Sequence, residues 1–172
     1  PMTFPKKLED HPSQKLGEYP GDMNTLIQHY LDDIYVGYRY FDTYKVAPQF
    51  AFGHGLSYTQ FAYSGLTVSA NGEGATIKFT IKNSGKVAGG ETAQVYVKQE
   101  NSLLPRPEKE LKGFDKIFLQ PGESEMVSIT LDENAFQYYN DIENKWVKEK
   151  GVYEIMVGSS SRQINLSSKI NL

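Results

Sequence analysis

Hydrophobic and polar residues alternate in short runs over the later part of the chain. Residues 76–82 place Ile77, Phe79 and Ile81 between threonine and lysine, and residues 93–98 alternate in the same way. Successive side chains of a strand point to opposite faces of its sheet, so this period of two is typical of half-buried strands. Similar short apolar runs occur at residues 66–68, 111–119, 127–131, 146–147, 153–157 and 164–166.

Turn signals separate these runs, among them Asn83-Ser84-Gly85 and Pro121-Gly122. Seven or eight short strands with a turn every 8 to 12 residues or so are typical of a two-sheet sandwich. The predicted fold class is therefore mainly β: a two-sheet sandwich with Greek-key connections, preceded by an irregular N-terminal arm. Gly113 predicts a bulge in its strand, and Asp132 predicts a capped helical turn that runs to Phe136.

Residues 1–60, which we call the arm, have a different texture. They hold five of the eight prolines and show no clean alternation, so we expect an extended segment that lies on another surface. One short helix is predicted over residues 23–31, with Asp22 as its cap. Gly53 and Gly55, which flank His54, predict a sharp corner where the arm meets the sandwich.

Composition narrows the function classes. Hydrophobic residues make up 39% of the chain and there are 15 glycines, which is ordinary for a globular protein with a core. A formal charge of −3 gives no electrostatic footprint for nucleic acid, and no apolar run is long enough to predict a membrane span. The absence of cysteine excludes disulfides and thiolate sites and leaves the compartment open. The first residues do not resemble a signal peptide, so we expect a chain cut from a longer polypeptide.

Five separated blocks carry a resemblance to a known family. They are residues 2–5 (MTFP), 36–42 with 50–61 (VGYRYFD, FAFGHGLSYTQF), 82–97 (KNSGKVAGGETAQVYV), 106–116 with 119–124 (RPEKELKGFDK, LQPGES) and 151–158 (GVYEIMVG). In this order they resemble the C-terminal part of glycoside hydrolase family 3 enzymes of the β-glucosidase type. Ala51 stands where the family usually has proline, a change that loosens that turn.

The resemblance implies a division of the chain and a role for it. Residues 1–60 would be the tail of the second, α/β-sandwich domain of the catalytic region, and residues 61–172 a domain with an immunoglobulin- or fibronectin type III-like β-sandwich fold. The family cleaves β-linked glycosides with two carboxylates about 5–5.5 Å apart. Its nucleophile is an aspartate in a Ser-Asp-Trp-like motif, whereas Trp146 here follows Lys145, and its acid/base glutamate lies upstream. The resemblance therefore implies no catalytic residue and no cofactor in this chain. Its partners would be the catalytic domains of the same polypeptide, and the parent's substrate a β-linked oligosaccharide or glycoside.

Aromatic and basic residues of the arm are predicted to dock on that catalytic region. We expect Tyr35, Tyr38, Tyr40, Tyr44 and Tyr58 to be exposed in the isolated chain. Arg39 either pairs with Asp42 or an acid of the catalytic region, or stacks on tyrosines at the surface. A semi-rigid apolar loop at residues 101–107 is a second docking candidate, with a plain exposed loop or a contact to the sugar as the alternatives. The predicted docking residues are Tyr35, Tyr38, Arg39, Tyr40, Asp42, Tyr58, Leu103, Leu104 and Arg106.

Other chemistry is weakly supported. The acid pairs at 32–33, 132–133 and 141/143 are expected to be solvated or capping residues, because adjacent acids on a strand face opposite sides. His11, His29 and His54 lack the spacing of metal ligands. Two other classes of function remain open, a carbohydrate-binding module and a freestanding adhesion domain. The 12 tyrosines of the chain favour the binding module, whereas the single tryptophan counts against it.

Overall fold

The computed structural model describes all residues from Pro1 to Leu172. Nine strands follow the arm, and two short helices lie within it. The helices are α1 (Pro12–Lys15) and α2 (Tyr38–Thr43), and the strands are β1 (Phe61–Asn71), β2 (Gly74–Asn83), β3 (Gly89–Gln99), β4 (Glu110–Leu119), β5 (Ser124–Leu131), β6 (Gln137–Asn140), β7 (Lys145–Lys148), β8 (Val152–Gly158) and β9 (Ile164–Asn171).

The strands form a sandwich of two antiparallel sheets. One sheet has the order β1-β2-β5 and the other β4-β3-β8-β9, while β6 and β7 form a separate hairpin. The chain changes sheet between β2 and β3, between β4 and β5, and again before β8, which is the Greek-key pattern. The mainly β sandwich predicted from the sequence is confirmed.

The alternating residues build the core between the sheets. Ile77, Phe79 and Ile81 of β2 are almost fully buried and face Val95 and Val157 of the opposite sheet within one cluster of 17 residues. Each such side chain contributes roughly 1.5–3 kcal/mol on burial, so the cluster is the main source of stability. None of the 17 residues belongs to the arm.

The arm contains more local structure than the sequence predicted. A helix over residues 23–31 is wrong: Asp22 Oδ1 instead accepts the N–H groups of Asn24 and Thr25 at 2.8 and 3.4 Å, closing a turn. The arm is also helical where no helix was predicted, at α2. Gly37, with φ of +55°, begins this helix without a side-chain cap. No helix of the structure has both the length and the apolarity needed to cross a membrane.

Two local predictions in the sandwich are borne out in part. The β3–β4 register shifts where Val95 pairs with Gly113 and Tyr96 with Leu111, which leaves Lys112 as the extra residue of a bulge. A 3-10 turn spans Glu133–Phe136, but the Asp132 side chain does not cap it. The main-chain carbonyl of Asp132 accepts the N–H of Ala135 instead.

Candidate docking surface

Helix α2 holds the arm on the sandwich through one buried carboxylate. Asp42 Oδ2 lies 2.6 Å from Lys109 Nζ, and Asp42 Oδ1 lies 2.5 Å from Arg162 Nε. The Asp42 side chain is 3% exposed and that of Lys109 9% exposed. Arg162 also donates to the carbonyls of Phe41 and Val46, at 2.8 and 2.9 Å. A buried charge is tolerated only when it is paired and hydrogen-bonded. Oδ2 meets both conditions through Lys109, whereas Oδ1 is paired with Arg162 by charge without a hydrogen bond.

Aromatic rings of the arm cover the outer face of the four-stranded sheet. The Tyr38 ring packs on Phe52 and Tyr96, with centroids 5.1 and 5.8 Å away, and its hydroxyl accepts the N–H of Leu111 at 2.8 Å. Burial raises the pKa of Tyr38 and of Tyr96. Because the arm rings cover this outer face, Gln94 and Tyr96, which point away from the core, are buried as completely as their core-facing neighbours.

The corner of the arm lies directly above this covered face. Gly53 has a φ of +86°, and a side chain there would collide with the carboxamide of Gln94. That carboxamide donates to Ser159 O at 3.0 Å and accepts from the Tyr96 hydroxyl. Gly55 has neither a positive φ nor a close neighbour, so the corner depends on Gly53.

A polar cavity opens between the corner and the four-stranded sheet. Its volume is about 710 Å³, and its lining includes His54, Ser57, Glu91 and Ser160. Tyr63 donates its hydroxyl to Glu91 Oε1 at 2.8 Å. Burial raises the pKa of Glu91 and the pKa of Tyr63. Glu91 is the one carboxylate of this lining, whereas glycoside cleavage needs two.

The docking residues predicted in the arm differ in their burial. Tyr40 is only 5% exposed and Asp42 is buried, so the expected exposure of Tyr40 is wrong: its ring packs on Phe41 and Tyr44. Tyr35 and Tyr38 are half-buried. By contrast, Tyr58 is 99% exposed and Tyr44 55% exposed.

Arg39 does not pair with Asp42, because Lys109 and Arg162 occupy both carboxylate oxygens. Its side chain is half-buried and forms no ion pair within the chain. This position leaves open the predicted pairing of Arg39 with an acid outside the chain.

The loop at residues 101–107 is fixed at its base and exposed at its tip. Arg106 donates to Gln99 and Glu110 at 2.7 and 2.9 Å. Glu149 accepts from the Ser102 hydroxyl and from the Leu103 N–H at 2.9 and 3.1 Å. Leu103 is nevertheless 85% exposed, and Leu104 40% exposed. The loop thus presents an apolar tip on a rigid base.

Comparisons with known proteins show which family this chain resembles. A family described as the fibronectin type III-like domain matches residues 91–161. Thermostable beta-glucosidase B of Acetivibrio thermocellus is 44% identical over 99% of this chain, which covers 22% of that protein. The structure of beta-glucosidase 3B from Thermotoga neapolitana, in complex with alpha-D-glucose, superimposes with a TM-score of 0.91 and 42% identity, over 99% of this chain and 24% of that one. The chain corresponds to the C-terminal region of family 3 glycoside hydrolases.

Not every relative shares the same sugar. An exo-alpha-(1->6)-L-arabinopyranosidase of Bifidobacterium breve is 43% identical over 95% of this chain, which spans 21% of that protein. The chain therefore spans about a fifth of the length of the family 3 relatives it matches, and those relatives carry further domains on the same polypeptide.

The acid pairs that the sequence predicted to be solvated or capping are mostly exposed. The pairs 132–133 and 141/143 are exposed, and Asp33 is exposed beside the half-buried Asp32. Nowhere do three acidic or histidine side chains come together as a metal site. By sequence, the chain matches the C-terminal, fibronectin type III-like region of family 3 β-glucosidases, over about 22% of their length.

Proposed function

We propose that this chain braces the catalytic domains of its own polypeptide and docks on them through the arm. The two predicted parts have different tasks in this proposal. Residues 61–172 are the fibronectin type III-like support, and residues 1–60 are the tail of the preceding catalytic-region domain. The start of β1 at Phe61 supports this boundary.

The distribution of exposed apolar side chains carries the proposal. Of the 25 large hydrophobic residues that are exposed, 16 lie in the arm, about a third of the chain. Exposed apolar surface of this extent marks an interaction site in a soluble protein. The inner side of the arm is already occupied by the sandwich, through Asp42, Tyr38 and Gly53, so the outward side chains Leu56 and Tyr58, 96% and 99% exposed, face the partner. In this proposal Leu103 and Leu104 extend the same interface, and Arg39 meets an acid of the catalytic region.

The parent's reaction is proposed from its relatives. Hydrolysis of terminal β-D-glucosyl residues, by two carboxylates and a covalent glycosyl-enzyme intermediate, is supported by the β-glucosidases among them. The arabinopyranosidase of similar identity supports a further statement: the choice of sugar is made outside this chain. Activity of the full-length parent on aryl β-glucoside, compared with aryl β-xyloside, tests the proposed substrate.

Reconstitution in two pieces tests the docking role. The catalytic region, expressed without residues 1–172, and this chain are purified separately, mixed and assayed. We expect this chain alone to release no aryl alcohol from an aryl β-glucoside, and the mixture to co-elute in size-exclusion chromatography and gain activity over the catalytic region alone.

Matched variants locate the contact. The double variant Leu56→Ser, Tyr58→Ser should abolish co-elution, because it removes the most exposed apolar side chains of the arm. Met126→Ser, at a residue 68% exposed on β5, is the control and should co-elute normally. Equal loss in both variants, or glycoside cleavage by this chain alone that a single Asp or Glu substitution abolishes, would contradict the proposal.

A further inference from the structure

The hairpin β6–β7 presents the chain's only tryptophan on an exposed face. Tyr139 pairs directly with Trp146 across the hairpin. Their ring centroids lie 5.7 Å apart with the planes at 75°, and the residues are 50% and 63% exposed. The edge of one ring thus lies against the face of the other, and both rings reach solvent.

This aromatic pair is not required by the core. Neither ring belongs to the 17-residue core cluster or packs against it. The opposite face of the hairpin carries Tyr138 and Val147, and the Arg106 guanidinium lies 5.7 Å from the centre of the Tyr138 ring. That inner face attaches the hairpin to the sandwich, so Tyr139 and Trp146 are available for a ligand.

The hairpin is ordered before any ligand binds. At its tip Asn140 Oδ1 accepts the N–H groups of Ile142 and Glu143, at 3.0 and 3.1 Å. At its base Lys148 Nζ donates to the carbonyl and to the carboxylate of Glu73, both at 2.9 Å. A preformed surface loses little conformational entropy on binding.

Polar groups lie beside the two rings on the same face, toward the base of the hairpin. Gln137 and Lys148 are each two residues from a ring along their strands and therefore share its face. Gln137 supplies a carboxamide, and Glu73, whose side chain is 73% exposed, supplies a carboxylate. The Lys148 hydrogen bond lowers the pKa of Glu73, which keeps that carboxylate ionised as a hydrogen-bond acceptor.

We propose that this face, formed by Gln137, Tyr139, Trp146, Lys148 and Glu73, binds pyranose rings of a β-linked glucan away from the catalytic site. A β-linked pyranose has apolar C–H faces and hydroxyl groups around its edge. The aromatic pair matches the former, and the amide and ion pair match the latter. An apolar protein partner would leave the Gln137 carboxamide and the second oxygen of the Glu73 carboxylate without partners at a cost. That the ligand is a sugar follows from the residues of this face alone. That the sugar is a β-linked glucan rests on the proposed function.

Affinity electrophoresis of this chain in gels containing soluble β-glucan tests the proposal. We expect retardation of the unaltered chain, and a change in its intrinsic fluorescence on titration with cellopentaose or laminaripentaose, saturating at roughly millimolar concentration. Since Trp146 is the only tryptophan, this signal reports directly on the proposed face. Tyr139→Ala should weaken binding about tenfold, the effect expected from one lost stacking contact, and Trp146→Ala should abolish retardation.

Phe118→Ala is the matched control, because Phe118 is an exposed aromatic residue on β4, 65% exposed. It should be retarded like the unaltered chain. Absence of retardation and of any fluorescence change with every sugar overturns the proposal, as does equal retardation of Trp146→Ala. Self-association lost in Trp146→Ala, without sugar binding, would assign the face to a second copy. Activity of the parent on a small aryl β-glucoside is measured separately, so loss of that activity would count against the proposed function and not against this face.

Discussion

At the scale of single residues, Gly53 determines how the arm meets the sandwich. Its positive φ favours glycine, and a Cβ would displace Gln94 and with it the bonds to Ser159 and Tyr96. We expect Gly53→Ala to lower the free energy of unfolding by roughly 1–3 kcal/mol, the usual cost of overpacking and backbone strain. Urea unfolding measures this. Gly55→Ala, two residues away in open space, is the control, and an equal effect of both would contradict this role for Gly53.

Glu91 should make the stability depend on pH. Because burial raises its pKa above the ordinary value of 4.5, the folded chain retains this proton to higher pH than the unfolded chain. The stability contributed by this group is thus complete below pH 4.5 and is lost as pH rises through the folded pKa. Glu91→Gln keeps an oxygen that accepts the Tyr63 hydroxyl and carries no charge.

The measurement is the difference in melting temperature between Glu91→Gln and the unaltered chain, at about pH 4 and about pH 7. We expect the variant to gain relative to the unaltered chain as pH rises. Glu125→Gln, at an exposed carboxylate on β5, should show a difference that changes little with pH. A Glu91→Gln difference independent of pH would show that the carboxylate is not desolvated in the folded state.

The alternation of residues was informative about the core and misleading about β3. Val95 and Val97 face the core as predicted, but Gln94 and Tyr96, predicted to point away from it, are buried too. Period two assigns a side chain to a face and says nothing about what lies on that face. The arm that covers these residues is distant in sequence, and its contacts, such as Asp42 with Lys109, depend on the fold.

At the scale of elements, α2 is held by charges where its sequence provides little helix stability. We expect Asp42→Ala to cost roughly 3–5 kcal/mol, because it leaves Lys109 buried without a partner. The control is Glu108→Ala, which removes the exposed pair with Lys98 and should cost at most about 1 kcal/mol. Both are measured by urea unfolding. A cost of Asp42→Ala as small as that of the control would mean that Lys109 reaches solvent or another partner when the carboxylate is removed.

Strands whose hydrophobic and polar residues alternate were predictable from the sequence. Elements whose conformation depends on contacts with the rest of the fold were not. The core strands β2, β3 and β5 follow from alternation. Helix α2 has only six residues, four of them aromatic or β-branched, so neither propensity nor caps indicated it. In the hairpin, residues 146–147 were predicted as a strand and the partner strand β6 was missed, because Gln137–Asn140 is too short to show a pattern.

At the scale of the whole molecule, the core and most of the exposed apolar surface lie in different parts of the chain. The core cluster lies within residues 75–157, while most exposed apolar surface lies in residues 1–60. The sandwich therefore holds the core, and the arm is a layer with one side on the sandwich and the other in solvent. The division into two domains that the sequence resemblance implies stays a prediction, and it is supported by the arm contributing no residue to the core cluster.

Removal of residues 1–60 should separate the two parts. We expect residues 61–172 to fold with the same sheet content by circular dichroism, because every core residue is retained. Loss of the arm uncovers Gln94 and Tyr96, so the truncated chain should bind more of a hydrophobic dye. Its free energy of unfolding, measured in urea, should fall by roughly 1.5–3 kcal/mol or more, the contribution of one buried aromatic side chain. Tyr96→Ser in the truncated chain should reduce dye binding, and Phe118→Ser, at a residue exposed in both forms, should reduce it equally with and without the arm. Complete unfolding of residues 61–172 would show instead that the arm is an obligatory part of the fold.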